Sequence, residues 1–166
     1  EKRLRKKDFL LREGEACDFV AFMVEGCLRH YYVHEGEEQT CYISFENEWI
    51  SDIAGLSSGR ASGKMLQALH PSRVLLVHKK DLEELYHLYP NFASVGRIMA
   101  ERLANLTINL SMLLTSLKPE ERYQNLLEEQ PEIFQRVPQK YIASMLGIKP
   151  ESLSRIRKRL ASRSKS

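Results

Sequence analysis

Residues 138–160 read PQKYIASMLGIKPESLSRIRKRL, and this stretch decides the fold of the C-terminal part of the chain. A first helix is predicted to begin after Pro138 and to end at Gly147, because glycine adopts the left-handed conformation of a helix end most readily. A second helix begins with Pro150 in its first turn, where the N–H that proline lacks is not needed. Small Ala143 fits where two helices cross. The spacing predicts a helix-turn-helix unit with a shared core of Ile142, Leu146, Ile148, Leu153, Ile156 and Leu160.

The exposed face of the predicted second helix carries side chains suited to DNA. Glu151 and Arg155 are four residues apart and therefore project together. A helix fits the major groove, where Arg donates two hydrogen bonds to guanine and Glu accepts one from the cytosine amino group. We predict that Glu151, Ser152 and Arg155 read bases; the alternative is an ordinary surface ion pair. Phosphate contacts, which add affinity and salt dependence without sequence choice, are predicted for Gln139, Ser154, Arg157, Lys158 and Arg159.

The distribution of charge agrees with a local site for a polyanion. The 166 residues have a net charge of only +3, but residues 35–52 hold six acids and no Lys or Arg. Residues 151–166 hold six Lys or Arg and one acid. A basic end on a nearly neutral chain favours binding of a polyanion there.

Composition excludes several classes of protein. With 43 % apolar and 28 % charged residues, the chain is an ordinary globular one. No apolar run approaches the roughly 18 residues that span a bilayer, so no membrane contact is expected. Three cysteines without a CxxC spacing favour reduced thiols in a cytoplasmic protein over a disulfide framework or a zinc site. Because the first residue is Glu1 and not Met, we expect the sequence to begin inside a longer protein.

The first 80 residues have the pattern of an antiparallel barrel or sandwich. Short runs rich in Val, Ile, Phe and Tyr are separated by glycine and acidic turns. Strands are predicted at residues 9–11, 19–24, 28–33, 40–45, 65–69 and 73–78.

The apolar period changes after residue 80, where helices are predicted. Asp81 is expected to cap a short helix at 82–89. A long helix follows at 91–117, and a further helix at 120–130. One seam of the long helix, interrupted only by Gly96, holds Phe92, Met99, Leu103, Leu106, Leu110, Leu113 and Leu117.

This seam is over about 30 Å long, which favours a coiled-coil homodimer over packing on the chain's own barrel. We therefore assign residues 1–90 to an effector barrel, 91–117 to a dimerisation helix and 118–166 to a helix-turn-helix domain. The dimer contacts are predicted at Met99, Leu103, Leu106, Leu110 and Leu113.

The order of these parts resembles the cAMP receptor protein/FNR superfamily of bacterial transcription regulators. The resemblance implies an α+β fold with an N-terminal antiparallel β-barrel of the double-stranded β-helix or jelly-roll type, a long dimerisation helix and a C-terminal helix-turn-helix domain. It further implies a homodimer on palindromic double-stranded DNA, with RNA polymerase as a partner. The matching residues are Leu11, Glu13-Gly14-Glu15, Phe22, Val24, Gly26, Leu28-Arg29, Ile142-Ala143, Leu146-Gly147-Ile148 and, for the family's Glu-Thr/Ser-x-x-Arg motif, Glu151, Ser152 and Arg155.

The same resemblance places an effector pocket at Ser51, Asp52, Arg60 and Ser62. The family's cAMP binders use Gly-Glu for the ribose and Arg-Ser or Arg-Thr for the phosphate, and Ser51-Asp52 and Ser62-Gly63 stand at these positions. The arginine that neutralises the phosphate is missing, and Arg60 lies two residues early. A buried phosphate without a cation is costly, so we predict an effector other than cAMP and no resident cofactor.

Two other functions are compatible with the pattern. One is a ligand-binding signalling module that acts through protein partners. The other is a cupin-type barrel enzyme, which needs a cluster of His and Glu metal ligands on its strands. The sequence has neither such a cluster nor a catalytic motif, so we predict no enzyme, no catalytic residue and no metal site.

Overall fold

The structure is a computed structural model that describes residues 1–163, and within them the chain forms eight strands and seven helices. The strands are β1 (Lys2–Leu4), β2 (Phe9–Leu11), β3 (Phe19–Glu25), β4 (Leu28–His34), β5 (Glu37–Ser44), β6 (Trp49–Ile50), β7 (Met65–Ala68) and β8 (Ser72–His78). The helices are α1 (Ile53–Ser58), α2 (Lys79–Leu88), α3 (Pro90–Ser116), α4 (Pro119–Glu129), α5 (Ile133–Arg136), α6 (Gln139–Met145) and α7 (Pro150–Arg163).

The chain divides into two compact units, one that extends to Ile98 and one that begins at Met99. The division falls within α3. The predicted boundaries at residues 90 and 117 therefore stay predictions about function rather than descriptions of these units.

All eight strands belong to two antiparallel sheets of the first unit. One sheet has the strand order β1-β8-β3-β6, and the other has β2-β7-β4-β5. Within residues 1–163 no pair of these strands joins the two sheets, so the expected barrel is not closed and the fold is an open jelly-roll-like sandwich. Three of the four edge strands, β1, β2 and β6, are only two or three residues long and offer few backbone groups for pairing across the sheets. The predicted α+β class is confirmed, and the core between the sheets includes Leu11, Met23, Leu28, Leu66 and Val74.

The alternation of side chains sets which face of each strand enters this core. In β3, Phe19, Ala21 and Met23 are buried while the residues between them are half-exposed. All six predicted strands are present, whereas β1, β6 and α1 were not predicted. The expected cap at Asp81 is wrong: α2 begins at Lys79, three residues before the predicted start, with His78 at the N-cap, and Asp81 lies in its first turn.

The second unit contains the predicted helix-turn-helix as α6 and α7. Gly147 lies in the turn with φ of +67°, the left-handed conformation that the sequence required. The predicted core is largely confirmed, because Ile142, Ala143, Leu146, Leu153 and Ile156 are buried, while Ile148 and Leu160 are half-buried.

Helix α3 has 27 residues, about 40 Å at 1.5 Å per residue, and none of them is buried. Its seam residues Met99, Leu106, Leu110 and Leu113 are half-exposed. Beside the seam, further apolar side chains are 42–59 % exposed, namely Val95, Ile98, Ile108 and Met112. Across the described helices, none has both the length and the apolar character needed to cross a bilayer.

Candidate functional site

Helix α7 presents a charged face opposite the face that holds it in the core. Leu153 and Ile156 are buried. Glu151 and Arg155 are exposed on the other side. The structure therefore brings the predicted base-reading pair to one surface, with Ser152 half-buried beside them.

Glu151 and Arg155 do not form the ordinary ion pair that was the alternative to DNA reading. Among the described residues, no salt bridge and no side-chain hydrogen bond involves either of them. A carboxylate and a guanidinium thus share one exposed helix face with their hydrogen-bonding groups available. Such a face can contact donors and acceptors of a partner at the same time.

The predicted phosphate contacts differ in their surroundings. Gln139, at the first position of α6, is exposed, as are Ser154 and Lys158, whereas Arg157 is half-buried. Arg159 has a partner within the chain that the sequence did not indicate. Its Nη2 donates to Oε2 of Glu120 in the first turn of α4.

A cavity of about 530 Å³ lies in the first unit at the N-terminal end of α1. Asp52, which precedes α1, faces this cavity and is only 3 % exposed. Its Oδ1 has no hydrogen-bond partner among the described residues and lies 3.6 Å from Nζ of Lys64. A buried carboxylate oxygen without a donor is costly, so this side of the cavity favours a ligand that donates a hydrogen bond. The lining residues are Tyr32, Val33, Asp52, Ala54, Gly55, Ser58, Arg60, Ala61, Gly63 and Lys64.

Only two of the four predicted pocket residues line this cavity, Asp52 and Arg60. Ser51 does not, because its hydroxyl donates to the carbonyl of Phe19 at 2.8 Å. Ser62 does not, because its Oγ accepts from the backbone N–H of Lys64 at 3.1 Å and so holds a turn.

Lys64 is the pocket cation that sequence reasoning missed. It precedes β7, and only the fold of the loop between α1 and β7 brings its ammonium group to Asp52. The one signal in the sequence was a second basic residue in that loop, four positions after Arg60.

His30 of β4 also lies in the electrostatic field of Lys64. Its Nε2 is 2.7 Å from Oγ of Ser44, and its ring meets the edge of Tyr42. Burial, together with the charge of Lys64, lowers the pKa of His30 to about 3. The imidazole is therefore neutral at physiological pH.

No metal centre emerges from this geometry: across residues 1–163, no three His, Cys, Asp or Glu side chains are grouped as ligands of an ion.

The comparisons with known proteins agree with the fold. The family model described as "Cyclic nucleotide-binding domain" matches residues 1–89. No curated protein sequence matches the chain significantly.

Several solved structures are similar over nearly the whole chain. FixK2 from Bradyrhizobium japonicum has a TM-score of 0.85 and 21 % identity, covering 98 % of this chain and 84 % of that chain. A CooA mutant from Carboxydothermus hydrogenoformans has a TM-score of 0.75 and 17 % identity, covering 97 % and 75 %. The c-di-GMP responsive global regulator CLP from Xanthomonas campestris has a TM-score of 0.76 and 15 % identity, covering 98 % and 86 %. At these identities the likeness shows a shared fold.

Proposed function

The chain belongs to the cyclic nucleotide-binding domain family, and from that premise we propose that it is a homodimeric, sequence-specific DNA-binding regulator of transcription. One observation carries the proposal: α7 of a helix-turn-helix unit presents Glu151 and Arg155 on an exposed face with no internal ion pair. An acid on a DNA-binding surface is repelled by phosphate, so Glu151 is useful there only as a reader of bases. The structural neighbours of the whole chain include the global regulator CLP, which supports the same reading.

In this proposal, α7 enters the major groove and each side chain has a distinct task. Arg155 donates to O6 and N7 of a guanine, Glu151 accepts from a cytosine amino group, and Ser152 contacts a neighbouring base. Gln139, Ser154, Arg157, Lys158 and Arg159 contact phosphates, which fixes the register of the helix on the duplex without choosing a sequence.

Helix α3 supplies the dimer. Its apolar seam is not buried within the chain, and a second copy covers it as a coiled coil through Met99, Leu103, Leu106, Leu110 and Leu113. Two copies of α7 then reach successive major grooves about 34 Å apart on a palindromic site. A cytoplasmic location and RNA polymerase as a partner complete the proposal by analogy with the family.

The cavity beside Asp52 is the effector site. Asp52 accepts a hydrogen bond from the effector, while Lys64 and Arg60 favour a negatively charged group on it. The proposed effector is not cAMP, because Ser62-Gly63 stands where the family's arginine holds the phosphate, and the two cations of the cavity, Arg60 and Lys64, lie at other positions of the loop. The Ser62 hydroxyl already bonds the backbone of Lys64. No resident cofactor is part of the proposal.

Selection from a randomised duplex library tests this function. The wild-type protein is expected to recover a two-fold symmetric site. Arg155→Ala is expected to weaken binding to that site by about 1–3 kcal/mol and to relax the choice at one base of each half-site. Arg102→Ala, which removes an exposed arginine of α3, is the matched control and keeps the wild-type preference.

The other outcomes identify the rival functions. Weak DNA binding that is insensitive to salt indicates a signalling module that acts through protein partners. Stoichiometric metal in elemental analysis of the purified protein indicates a cupin-type enzyme. A monomer that selects no sequence contradicts the proposal outright.

A further inference from the structure

We propose that Glu120 is a positioning residue that competes with a DNA phosphate for Arg159 and thereby lowers the affinity of the protein for DNA. This inference rests on the proposed function, because it concerns one of the phosphate contacts assigned to α7. It adds a residue outside the helix-turn-helix motif to the DNA-binding machinery.

The contact itself joins two elements of the second unit. Nη2 of Arg159, in the third turn of α7, donates to Oε2 of Glu120, in the first turn of α4. The Glu120 side chain is 24 % exposed and that of Arg159 is 51 % exposed. The pair therefore lies at the surface, where a third group can approach the guanidinium.

Arg159 stands at the flank of the base-reading face. At 100° per residue, it lies about 40° around α7 from Arg155 and about 60° from buried Ile156. This is the position from which a side chain reaches the backbone beside the groove rather than the base edges within it.

The competition is one of charge. A guanidinium has enough donors for a carboxylate and a phosphate together, but the negative charge of Glu120 reduces the net positive charge that Arg159 offers to DNA. Counterion release from DNA follows the number of phosphates that the protein neutralises. Arg159 beside Glu120 therefore adds less affinity than an arginine without a carboxylate partner.

The first turn of α4 holds Glu120 in this place. The carboxylate of Glu121 accepts from the backbone N–H of Lys118 at 2.7 Å, which caps the helix. Nη1 of Arg122 donates to the carbonyl of Leu114 near the end of α3 at 3.2 Å. These two hydrogen bonds hold the backbone on both sides of Glu120. The Glu120 carboxylate therefore contacts Arg159 from a fixed position.

The same exposure means that the pair matters little for folding. Ion pairs at the surface contribute little to stability, because solvent screens both charges. A variant that removes the Glu120 charge is therefore expected to fold, and its effect is expected in DNA binding.

The experiment measures binding of Glu120→Gln to the selected operator between 50 and 200 mM salt. One added phosphate contact steepens the slope of log K against log[salt] by about 0.9. The gain in affinity over wild type at 50 mM salt is then about 3.5 times the gain at 200 mM. Without Arg159, the Glu120→Gln change is expected to have no effect on DNA affinity. The double variant Glu120→Gln/Arg159→Gln should therefore have the same affinity and salt slope as Arg159→Gln alone.

Glu121→Gln is the matched control. It removes the same charge from the same turn, and the glutamine oxygen still accepts from Lys118, so the wild-type slope is expected. An unchanged or weakened affinity of Glu120→Gln, with wild-type DNA selection intact, overturns this inference alone. Failure of the wild-type protein to select any sequence overturns the proposed function instead.

Discussion

Two regions of the molecule each leave a carboxylate without a hydrogen-bond donor, and they do so in opposite environments. Glu151 on α7 is exposed to solvent, whereas Asp52 beside the cavity is almost fully buried. An unpaired charge in water costs little, so Glu151 needs no partner within the chain. An unpaired buried charge is costly, so Asp52 depends on whatever approaches it, which in this structure is Lys64.

The comparison predicts different kinds of dependence for the two regions. In the proposed function, the surface face acts only when DNA presents the right atoms at the right spacing, and its function therefore depends on the proposed dimer. The buried site influences the free energy of unfolding even without a ligand, because the Asp52 carboxylate is already out of water.

The greatest loss of DNA affinity is expected from a change in the apolar seam of α3. Leu106→Glu places a charge in the middle of the α3 seam, so we expect a monomer by sedimentation. Loss of the second half-site removes a gain in affinity of about 10²–10⁴, measured on the selected palindrome. Asn105→Glu, which adds the same charge one residue away from the seam, is expected to remain dimeric. A Leu106→Glu dimer with full affinity would show that α3 does not join the copies.

Acid is expected to destabilise the first unit through His30 of β4. The folded-state pKa of His30, about 3, lies below its unfolded value of 6.5, so between these values the unfolded chain binds a proton that the folded chain excludes. Stability is therefore full above pH 6.5 and falls as the pH drops towards 3. At about 1.4 kcal/mol per pH unit, the His30 contribution lost between pH 6.5 and pH 4.5 is about 2–3 kcal/mol.

Denaturant titrations at pH 7 and pH 4.5 measure this loss. His30→Gln, whose amide can still bond Ser44, is expected to lose correspondingly less stability on acidification. His34→Gln, an exposed substitution on the same strand, is expected to behave as the wild type. Equal acid sensitivity in all three proteins would contradict the assignment to His30.

The two regions also differ in how far the sequence predicts them. The helix-turn-helix is encoded within about 20 neighbouring residues by Gly147, Pro150 and apolar spacing, so local pattern was sufficient. The part of the family resemblance that concerns the N-terminal domain is confirmed by the cyclic nucleotide-binding domain model over residues 1–89, and the fold of the whole chain is shared with FixK2. The cavity depends on how the loop between α1 and β7 folds back on Asp52. Such a loop has no periodicity, and neither α1 nor the role of Lys64 was predicted.

Gly96 shows the same limit within a well-predicted helix. The sequence identified it only as an interruption of the α3 seam. In the structure, a Cβ at this position would lie 2.5 Å from the hydroxyl of Tyr86, so glycine permits the close approach of α2. The reason for glycine at position 96 of α3 lies in its contact with Tyr86 of α2, which the sequence pattern of α3 does not reveal.

A smaller loss of stability is expected when Asp52 loses its cation. Lys64→Met leaves the buried carboxylate without a nearby charge, so we expect the free energy of unfolding to fall by about 1–3 kcal/mol. Asp52→Asn is expected to cost less, because the Lys64 side chain is 47 % exposed and remains solvated.

Arg60→Met, at an exposed position of the same cavity, is the matched control and is expected to leave stability within about 0.5 kcal/mol of the wild type. If Asp52→Asn instead lowered the free energy of unfolding more than Lys64→Met, groups other than Lys64 would stabilise the buried carboxylate. Asp52 would then differ from Glu151 only in its burial.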